Sequence, residues 1–246
     1  MPEGPSIVIL KQQAAAFAGR KVLRVSGNSK LDLPRMHGRK LVALHSWGKH
    51  FLLEFDGFAM RVHFMLFGSY RINEGKQAPP RLSLGFSKSE ELNFYACSLQ
   101  YVEGALDDHY DWSGDVMADA WSAPKARRKL KARPDTLVAD ALLDQDVFAG
   151  VGNIIKNEVL HRIGVHPEST VGALPPGTLG DLIKQARVYS FDFYAWKKAY
   201  VLKQHYQVHA RTTCPRDGNR LSYRAHLGRT QRRAFWCDMC QRLYRD

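Results

Sequence analysis

Seven short runs decide the fold class of this chain: KVLRVS (21–26), KLVALHS (40–46), HFLLEF (50–55), AMRVHF (59–64), SYRIN (69–73), RLSLGF (81–86) and LNFYACSLQYV (92–102). Their apolar residues alternate with polar ones or are β-branched, which is typical of strands that bury one face. Glycine, asparagine, aspartate or serine separates successive runs. The pattern predicts a β-sandwich or a β-barrel of about seven or eight strands.

A helix is predicted ahead of these runs, in residues 5–18. Ile7, Leu10, Ala14 and Phe17 are spaced three or four residues apart, and a glycine follows at position 19. This spacing gives a helix one apolar face, and glycine commonly ends a helix. We therefore expect a helix that starts close to the first residue of the sequence.

The second half of the chain has a different pattern. Residues 107–134 are polar and rich in aspartate, and they end in the basic stretch KARRKLKAR (125–133), which we interpret as a hinge. Helical spacing follows in DTLVADALLDQDVF (135–148), in NIIKNEVLHRI (153–163) and in residues 179–203, and short β-like pieces surround the last cysteines. The prediction is an α+β fold with a β-sandwich domain at 1–113, a hinge at 114–134, a helical domain at 135–208 and a small metal-binding tail at 209–246.

Composition and charge exclude several classes of protein. A hydrophobic fraction of 45% in 246 residues is enough for a buried core, which excludes a disordered chain. No apolar run approaches the roughly 18 residues of a membrane span, and the start MPEGPSIVIL lacks the pattern of a secretory signal, so we expect a cytoplasmic protein. Lys and Arg number 36 against 24 Asp and Glu, a net charge of +12. Most of the excess lies in residues 197–246, which is typical of a protein that binds polyanions.

The cysteines point to a metal site. Three of the four, Cys214, Cys237 and Cys240, lie in the last 33 residues. Four cysteines are too few for a disulfide framework, so metal binding explains this clustering better than bridging does. The spacing Cys237-x-x-Cys240 is that of one half of a zinc site.

The fourth ligand of this site is open from the residues alone. The first half reads Cys214-Pro-Arg-Asp217, so a carboxylate stands where a second thiolate is expected. Asp217 can bind zinc, and His226 suits a sulfur-rich site chemically but lies farther along the loop. A third interpretation is a finger without metal that packs around Phe235 and Trp236.

The first residues of the chain suggest a nucleophile. Met1 precedes a small residue, so we expect it to be removed and the secondary amine of Pro2 to become free. An α-amino group titrates near about 8, so a large part of it is neutral at physiological pH and can attack an aldehyde-like carbon. Glu3 beside it can donate or accept a proton. The alternative is that Pro2 merely leads into the helix.

Three blocks of the sequence together resemble one family. They are MPEGP (1–5), the region LDQ (143–145) to FAGVGN (148–153) with EVL (158–160) and GVHP (164–167), and FWCDMCQ (235–241). Occurring together and in this order, they resemble the Fpg/Nei family of DNA glycosylases. The resemblance implies a β-sandwich joined to a helix-two-turn-helix domain that carries a β-hairpin zinc finger.

The resemblance also implies an activity. Pro2 would attack C1′ of a damaged nucleoside, expel the base and form a Schiff base, and the strand would break by β,δ-elimination with Glu3 as the acid/base residue. Lys49, in the turn SWGKHF (46–51), would reach a phosphate near the lesion, and Arg232 would insert at the lesion. The partner would be damaged DNA, most simply a duplex bound by a monomer, and the cofactor one structural Zn²⁺ with Asp217 favoured as its fourth ligand.

Other residues match the family's DNA contacts. Asn153 stands at a helix start, where an N-cap side chain and free N–H groups suit a phosphate. Met65, Leu66 and Phe67 lie where the family carries side chains that fill the void left by the extruded nucleotide, Leu66 being the favoured plug. For Asn153 we expect both the cap and the phosphate contact. The plain alternatives are a solvated turn lysine for Lys49, core strand residues for 65–67, and a solvated charge or the neighbouring Arg233 in place of Arg232.

Features of the subfamily favour oxidised pyrimidines as substrates. The start Pro-Glu-Gly-Pro is the Nei form, and the stretch FYACS (94–98) lacks the Asp-Pro-Arg-Arg-Phe run of the Fpg branch. Ser6 departs from the family, since Nei members carry a second glutamate there. Two competing functions remain: a nucleic-acid-binding protein that kept the fold without catalysis, and a zinc-dependent nuclease.

Overall fold

The computed structural model describes residues 2–245, and the chain divides into two units. Unit 1 ends at Asp111, and unit 2 begins at Trp112. Each unit has its own buried apolar cluster. The sequence therefore places its strand-rich half and its helical half in separate cores.

Unit 1 begins with a helix and continues with six strands. Helix α1 spans Gly4–Gln13. The strands are β1 (Arg24–Ser26), β2 (Ala43–Trp47), β3 (His50–Phe55), β4 (Phe58–Ile72), β5 (Leu82–Gly85) and β6 (Glu91–Glu103). They form one antiparallel sheet in the order β1-β5-β6-β4-β3-β2.

This sheet folds over on itself because its two longest strands bend. The register of β4 against β6 shifts between Phe64 and Ser69, and Ala96 on the facing strand has a positive φ of 47°. On one side of the bend β4 pairs with β3, and on the other side β6 pairs with β5. Phe51 and Phe94, from the two sides, pack with ring centroids 5.9 Å apart. The result is the predicted β-sandwich.

Two details of unit 1 differ from the sequence prediction. The runs 59–64 and 69–73 belong to one bent strand, β4, so the described part of the chain has six strands in this sheet rather than seven or eight. Helix α1 ends at Gln13, and the rest of the predicted helix is a 3₁₀ turn at Ala15–Phe17. The tighter turn still buries Phe17, and the backbone reverses at Gly19, whose φ is 81°.

Unit 2 contains four helices around an apolar core. They are α2 (Ala123–Lys131), α3 (Val138–Leu143), α4 (Asn153–Arg162) and α5 (Pro176–Lys198). Leu142, Ile155 and Leu182, from three of these helices, are fully buried in that core. The predicted helix-two-turn-helix domain is therefore an α-helical layer with its own hydrophobic interior.

A two-stranded hairpin completes unit 2. Strands β7 (Ser222–Leu227) and β8 (Arg232–Trp236) pair in antiparallel fashion. Ala234 and Trp236 of β8 belong to the same apolar cluster as the helices. Ahead of the hairpin, the buried Glu158 carboxylate of α4 accepts backbone N–H bonds from Gln207, Val208 and His209.

The domain boundaries drawn from the sequence stay predictions. The structure adds that the segment 114–134, interpreted as a hinge, lies in unit 2 and contains helix α2, whose Ala126 and Leu130 are buried in the core. The apolar residues four apart in KARRKLKAR explain this helix. Within residues 2–245, no helix has the length and apolar character needed to cross a bilayer.

Candidate functional site

The start of the chain places a buried carboxyl group beside a partly exposed proline. Glu3 occupies the N-cap position of α1 with an extended backbone (φ −105°, ψ 169°), and its carbonyl accepts the N–H of Ser6 at 2.8 Å. Only 3% of Glu3 is exposed, whereas Pro2 is half-buried. Ile7 and Leu10 on α1 are buried in the sandwich core and hold the helix in place. Met1, whose removal the sequence predicts, lies outside the described residues.

Lys49 lies in the two-residue turn between β2 and β3. Gly48 takes a positive φ of 52° there, and Lys49 is half-buried. Two histidines follow that sequence reasoning missed: His50 on β3 is the cross-strand partner of His63 on β4, and their ring centroids lie 5.3 Å apart. The turn lysine therefore stands beside a pair of imidazoles.

This histidine pair is electrically neutral. Burial lowers the pKa of His50 to about 3, helped by the positive charges of Arg61 and Lys49 and by the neighbouring His63 ring. Burial and the charge of Lys49 likewise lower the pKa of His63. The Nδ1 atoms of both rings are buried without a hydrogen-bond partner among the described residues. Both rings therefore place polar nitrogens near the positive charges of Arg61 and Lys49 and carry no charge of their own.

The pair could have been found from the sequence. Asp56-Gly57 between HFLLEF and FAMRVHF is a strong signal for a two-residue hairpin turn. Such a turn pairs Phe55 with Phe58 and, counting back along both strands, His50 with His63. The register of one hairpin was therefore sufficient to bring the two histidines together.

Residues 65–67 stand out from the sheet. Met65, Leu66 and Phe67 are 53%, 58% and 85% exposed, so the structure does not place them in the core. They fall in the register shift of β4, where a Cβ at Gly68 would lie 2.8 Å from the carbonyl oxygen of Ala96. The close approach of the two backbones at this glycine leaves the three side chains outside the paired strand.

The N-cap role predicted for Asn153 is wrong. Gly152 occupies the N-cap position of α4, and Asn153 is the first helical residue. Asn153 therefore lies inside the helix rather than at its cap. The Oδ1 atom of Asn153 is buried without a hydrogen-bond partner among residues 2–245. The phosphate contact predicted for Asn153 stays a prediction.

Four side chains of the tail converge as a potential metal-binding group. The Sγ atoms of Cys214, Cys237 and Cys240 and a carboxylate oxygen of Asp217 all lie within 4.8 Å of one another. Asp217 Oδ2 is 3.2 Å from the sulfur of Cys237 and 3.2 Å from that of Cys240. Cys214 Sγ lies 3.8 Å from Cys240 Sγ.

The crowding of these four side chains shifts their pKa values. Burial, together with hydrogen bonding to Asp217, raises the pKa of the Cys240 thiol to about 12, and burial also raises the pKa of Cys237. Hydrogen bonds from Asn219 and from the Cys237 thiol lower the pKa of Asp217. A divalent cation removes the thiol protons and satisfies the crowded sulfur and oxygen atoms. Three sulfurs and one carboxylate oxygen fit tetrahedral zinc.

The group contains Asp217, the favoured fourth ligand, and neither of the two histidines nearby in the sequence or in space. His226, the alternative fourth ligand, is exposed on β7 and its Nδ1 lies 3.4 Å from the carbonyl oxygen of Gln231, so the structure excludes it from the group. His161 of α4 is buried, and its Nε2 lies 3.5 Å from Cys214 Sγ. His161 looks like any other residue of a helical pattern, so no local signal marks it.

The two candidate finger arginines differ in position. Arg232 is the first residue of β8, directly after the hairpin turn, and is half-buried opposite Leu227. Arg233 is exposed, and its carbonyl oxygen accepts a bond of 2.8 Å from Nζ of the buried Lys156. The backbone at Arg233 is therefore tied to α4, while Arg232 begins its strand directly after the turn.

Comparison with known proteins agrees with this architecture. The formamidopyrimidine-DNA glycosylase N-terminal domain matches residues 1–97, and the formamidopyrimidine-DNA glycosylase H2TH domain matches residues 115–188. Together they cover more than two thirds of the chain. The matches include the chain start and helices α2, α3 and α4.

Individual relatives match most of this chain. Endonuclease 8-like 3 of Xenopus laevis is 30% identical over 94% of this chain but only 39% of its own length, and endonuclease 8-like 2 of Bos taurus is 33% identical over 74% of this chain and 58% of its own length. The chain thus spans about two fifths of the first relative. A crystal structure of Lactococcus lactis formamidopyrimidine-DNA glycosylase bound to DNA with an AP site superposes with a TM-score of 0.82, covering 98% of this chain and 99% of that one at 18% identity.

Proposed function

Because this chain belongs to the Fpg/Nei family, we propose that it is a DNA glycosylase with AP lyase activity that acts in base excision repair. Pro2 is the nucleophile of this proposal. Its nitrogen attacks C1′ of a damaged nucleotide, the bond from C1′ to the base breaks, and the base leaves with the electron pair. The sugar then opens to a Schiff base on Pro2, and elimination of the phosphates breaks the strand.

The arrangement of Pro2 and Glu3 carries the proposal. A nucleophile must be reached by the nucleotide, and Pro2 is partly exposed. A proton-transfer group works best when it is shielded from water and held beside the reacting atoms. Glu3, the residue that follows Pro2, is buried. The rigid start of α1 fixes both residues, because Ile7 and Leu10 anchor this helix in the core.

The other predicted residues fit roles in binding DNA. Lys49 supplies a positive charge for a phosphate at a tight turn. Met65, Leu66 and Phe67 form an exposed apolar wedge of the kind that replaces an extruded nucleotide in the base stack. Asn153 has an unused buried oxygen and lies at the start of α4, where backbone N–H groups favour a phosphate. Arg232 offers a planar guanidinium for a phosphate next to the lesion.

The metal of this proposal is one structural Zn²⁺. Cys214, Cys237, Cys240 and Asp217 would hold it, and its contribution is to fold the tail that carries Arg232. All four ligand positions are filled by protein atoms, which is typical of structural rather than catalytic zinc. The reaction itself uses Pro2 and Glu3.

The substrate we propose is duplex DNA that contains an oxidised pyrimidine, bound by one copy of the chain. The Nei form of the chain start and the lack of an Asp-Pro-Arg-Arg-Phe run near Phe94–Ser98 support this substrate class over 8-oxoguanine. Duplexes with one oxidised pyrimidine or one 8-oxoguanine each, cleaved under identical conditions, rank the two classes directly.

Trapping with borohydride tests the activity. The protein is mixed with a duplex that carries one abasic site, and borohydride reduces any Schiff base to a stable amine. We expect a covalent protein–DNA adduct, whose loss in Pro2→Gly identifies the nucleophile. Pro5→Ala, a second proline of the same helix start, is the matched control and should still be trapped.

Three results would overturn the proposal. An intact mass that includes Met1 in the trapping-competent protein would make Pro2 an amide nitrogen with no nucleophilicity. Binding of damaged DNA with no adduct at any lesion would favour a non-catalytic nucleic-acid-binding protein. Strand cutting that survives Pro2→Gly and stops with a chelator would indicate a metal-dependent nuclease instead.

A further inference from the structure

The hairpin turn that precedes Arg232 is held by a single carboxylate from a distant helix. Asp140 of α3 is 93% buried, with a relative exposure of 7%. Its Oδ2 accepts the backbone N–H of Arg229 at 2.8 Å. Its Oδ1 accepts the backbone N–H of Thr230 at 3.0 Å and the Thr230 hydroxyl at 2.7 Å.

The turn is shaped around this carboxylate. Gly228 opens the turn with a positive φ of 65°, and a Cβ built there would overlap the carboxylate atoms of Asp140. Any residue other than glycine would therefore push the turn off the carboxylate as well as strain the backbone. The contact and the glycine together indicate a specific fit rather than a chance approach.

Two further bonds fix the strand on the other side of Arg232. The buried Lys156 of α4 donates to the carbonyl oxygen of Arg233 at 2.8 Å, and Asn157 Oδ1 accepts the N–H of Phe235 at 3.4 Å. Asp140 holds the chain before Arg232, and these two residues hold it after Arg232. The backbone of Arg232 is thus fixed from both directions, while the residue is half-buried and forms no ion pair within residues 2–245.

We propose that Asp140 is the positioning residue of Arg232: by holding the turn at 228–231, its carboxylate fixes where the guanidinium meets a DNA phosphate. This inference rests on the proposed function, in which Arg232 contacts DNA beside the lesion. Loss of the carboxylate leaves two backbone N–H groups and one hydroxyl without their partner. The turn then moves, and the backbone position of Arg232 is no longer fixed. Asp140 itself touches no DNA.

The test measures binding to a duplex with one tetrahydrofuran abasic analogue, which binds but cannot form a Schiff base. Arg232→Ala should weaken Kd about tenfold, as expected for loss of a charge-assisted hydrogen bond, and lower the slope of log Kd against log salt by about one. Asp140→Ala should reproduce both effects. The double variant should bind no more weakly than Arg232→Ala alone, because the carboxylate acts through the arginine.

Control variants separate positioning from general damage. Asp135→Ala removes an exposed carboxylate just before the same helix and should bind like the wild type. Asp140→Asn keeps one acceptor oxygen for the turn, so its loss of affinity should fall between those of the wild type and Asp140→Ala. The metal content of each variant reports whether the tail has folded. If Asp140→Ala loses its metal, the salt dependence of Kd and the double variant with Arg232→Ala are measured with Asp140→Asn instead.

Two outcomes overturn the inference. An additive double variant, or an unchanged salt slope in Asp140→Ala and Asp140→Asn, would mean that Asp140 stabilises the unit without directing Arg232. An unchanged Kd in Arg232→Ala would remove the contact that Asp140 is proposed to position. Trapping by Pro2 is measured on the same preparations, so failure of the catalytic proposal is seen separately.

Discussion

The chain start and the metal-binding tail position their functional residues by opposite means. Pro2 and Glu3 lie directly before helix α1, whose Ile7 and Leu10 are buried in a large apolar core. Arg232 lies on a hairpin that packs Ala234 and Trp236 against the helices, whereas the metal-binding loops around it have only a small apolar cluster of their own, Val208, Cys214, Leu221 and Cys237. A segment of this size buries too little apolar surface to fold by that means alone.

Polar groups take over where apolar packing is insufficient. Asp140 holds the turn of the hairpin, and Glu158 holds the segment ahead of it through three N–H bonds. Burial raises the pKa of Glu158, although the three bonds oppose that rise. Apolar packing depends on volume, whereas these contacts depend on particular atoms. The tail should therefore be far more sensitive to single polar changes and to metal removal than the chain start is.

Metal removal should have the largest effect and should be confined to the tail. Structural zinc contributes on the order of 10 kcal/mol to the folding of isolated fingers. We expect Cys237→Ala to lose the metal and the protection of amides 207–241 in hydrogen exchange, while amides of β3 and β4 stay protected. Cys97→Ala, which removes the buried thiol of β6, should keep a full complement of metal. Protection of the tail in metal-free protein would show that the hairpin folds without the ion.

A cavity in unit 1 should give the next largest effect and spare the metal. Leu53 of β3 is fully buried, so Leu53→Ala should lower the free energy of unfolding by about 3 kcal/mol through lost burial and an unfilled cavity. Urea denaturation measures this loss, and metal analysis should find the site of the tail intact. Leu23→Ala, at a leucine 48% exposed, should change stability by less than about 0.5 kcal/mol. Equal losses in the two variants would contradict the apolar account of unit 1.

The same contrast explains what the sequence could predict. Strand runs and the Cys237-x-x-Cys240 pair are local patterns, and they locate the sandwich and the metal group correctly. Asp140, Lys156, Asn157 and Glu158 also sit in local helical patterns, where they resemble the solvated face of an amphipathic helix. They are buried because the hairpin and the segment ahead of it cover them, and the hydrogen bonds that join these partners span 49 to 89 residues of the chain. Periodicity carries no information about such partners.

The gap between AMRVHF and SYRIN made the predicted number of strands too high for a related reason. Three consecutive apolar residues, 65–67, interrupt the alternation, so the pattern predicts two strands. The backbone nevertheless continues as one strand, because β6 supplies ladder partners on both sides of the interruption. The residues of β6 that make this pairing lie about thirty positions later in the chain. The composition of residues 65–67 therefore cannot show that β4 continues through them.

Acid should weaken unit 1 through a polar group inside it. The pKa of His50 is about 3 in the folded protein and about 6.5 when unfolded, so the unfolded chain binds more protons between these values. Stability conferred by neutral His50 is therefore complete above pH 6.5 and falls as the pH drops toward 3. Lowering the pH from 8 to 5 should cost about 2 kcal/mol, at 1.36 kcal/mol per pH unit below 6.5. Urea denaturation at both pH values should show this cost shrink in His50→Phe but not in the exposed-histidine variant His226→Gln.

The smallest predicted effect concerns one hydroxyl of the polar anchor. Thr230→Val keeps the shape of the side chain and both backbone bonds to Asp140 but removes the bond of 2.7 Å from Oγ1. One hydrogen bond of this kind is worth about 1 kcal/mol, so amides of the turn should exchange about five times faster while those of β3 do not change. Thr212→Val, at an exposed threonine whose contact with the hairpin is through its backbone carbonyl, is the matched control. If Thr230→Val leaves turn exchange unchanged, the two backbone N–H bonds suffice to hold the turn, and the polar anchor rests on the carboxylate and the main chain.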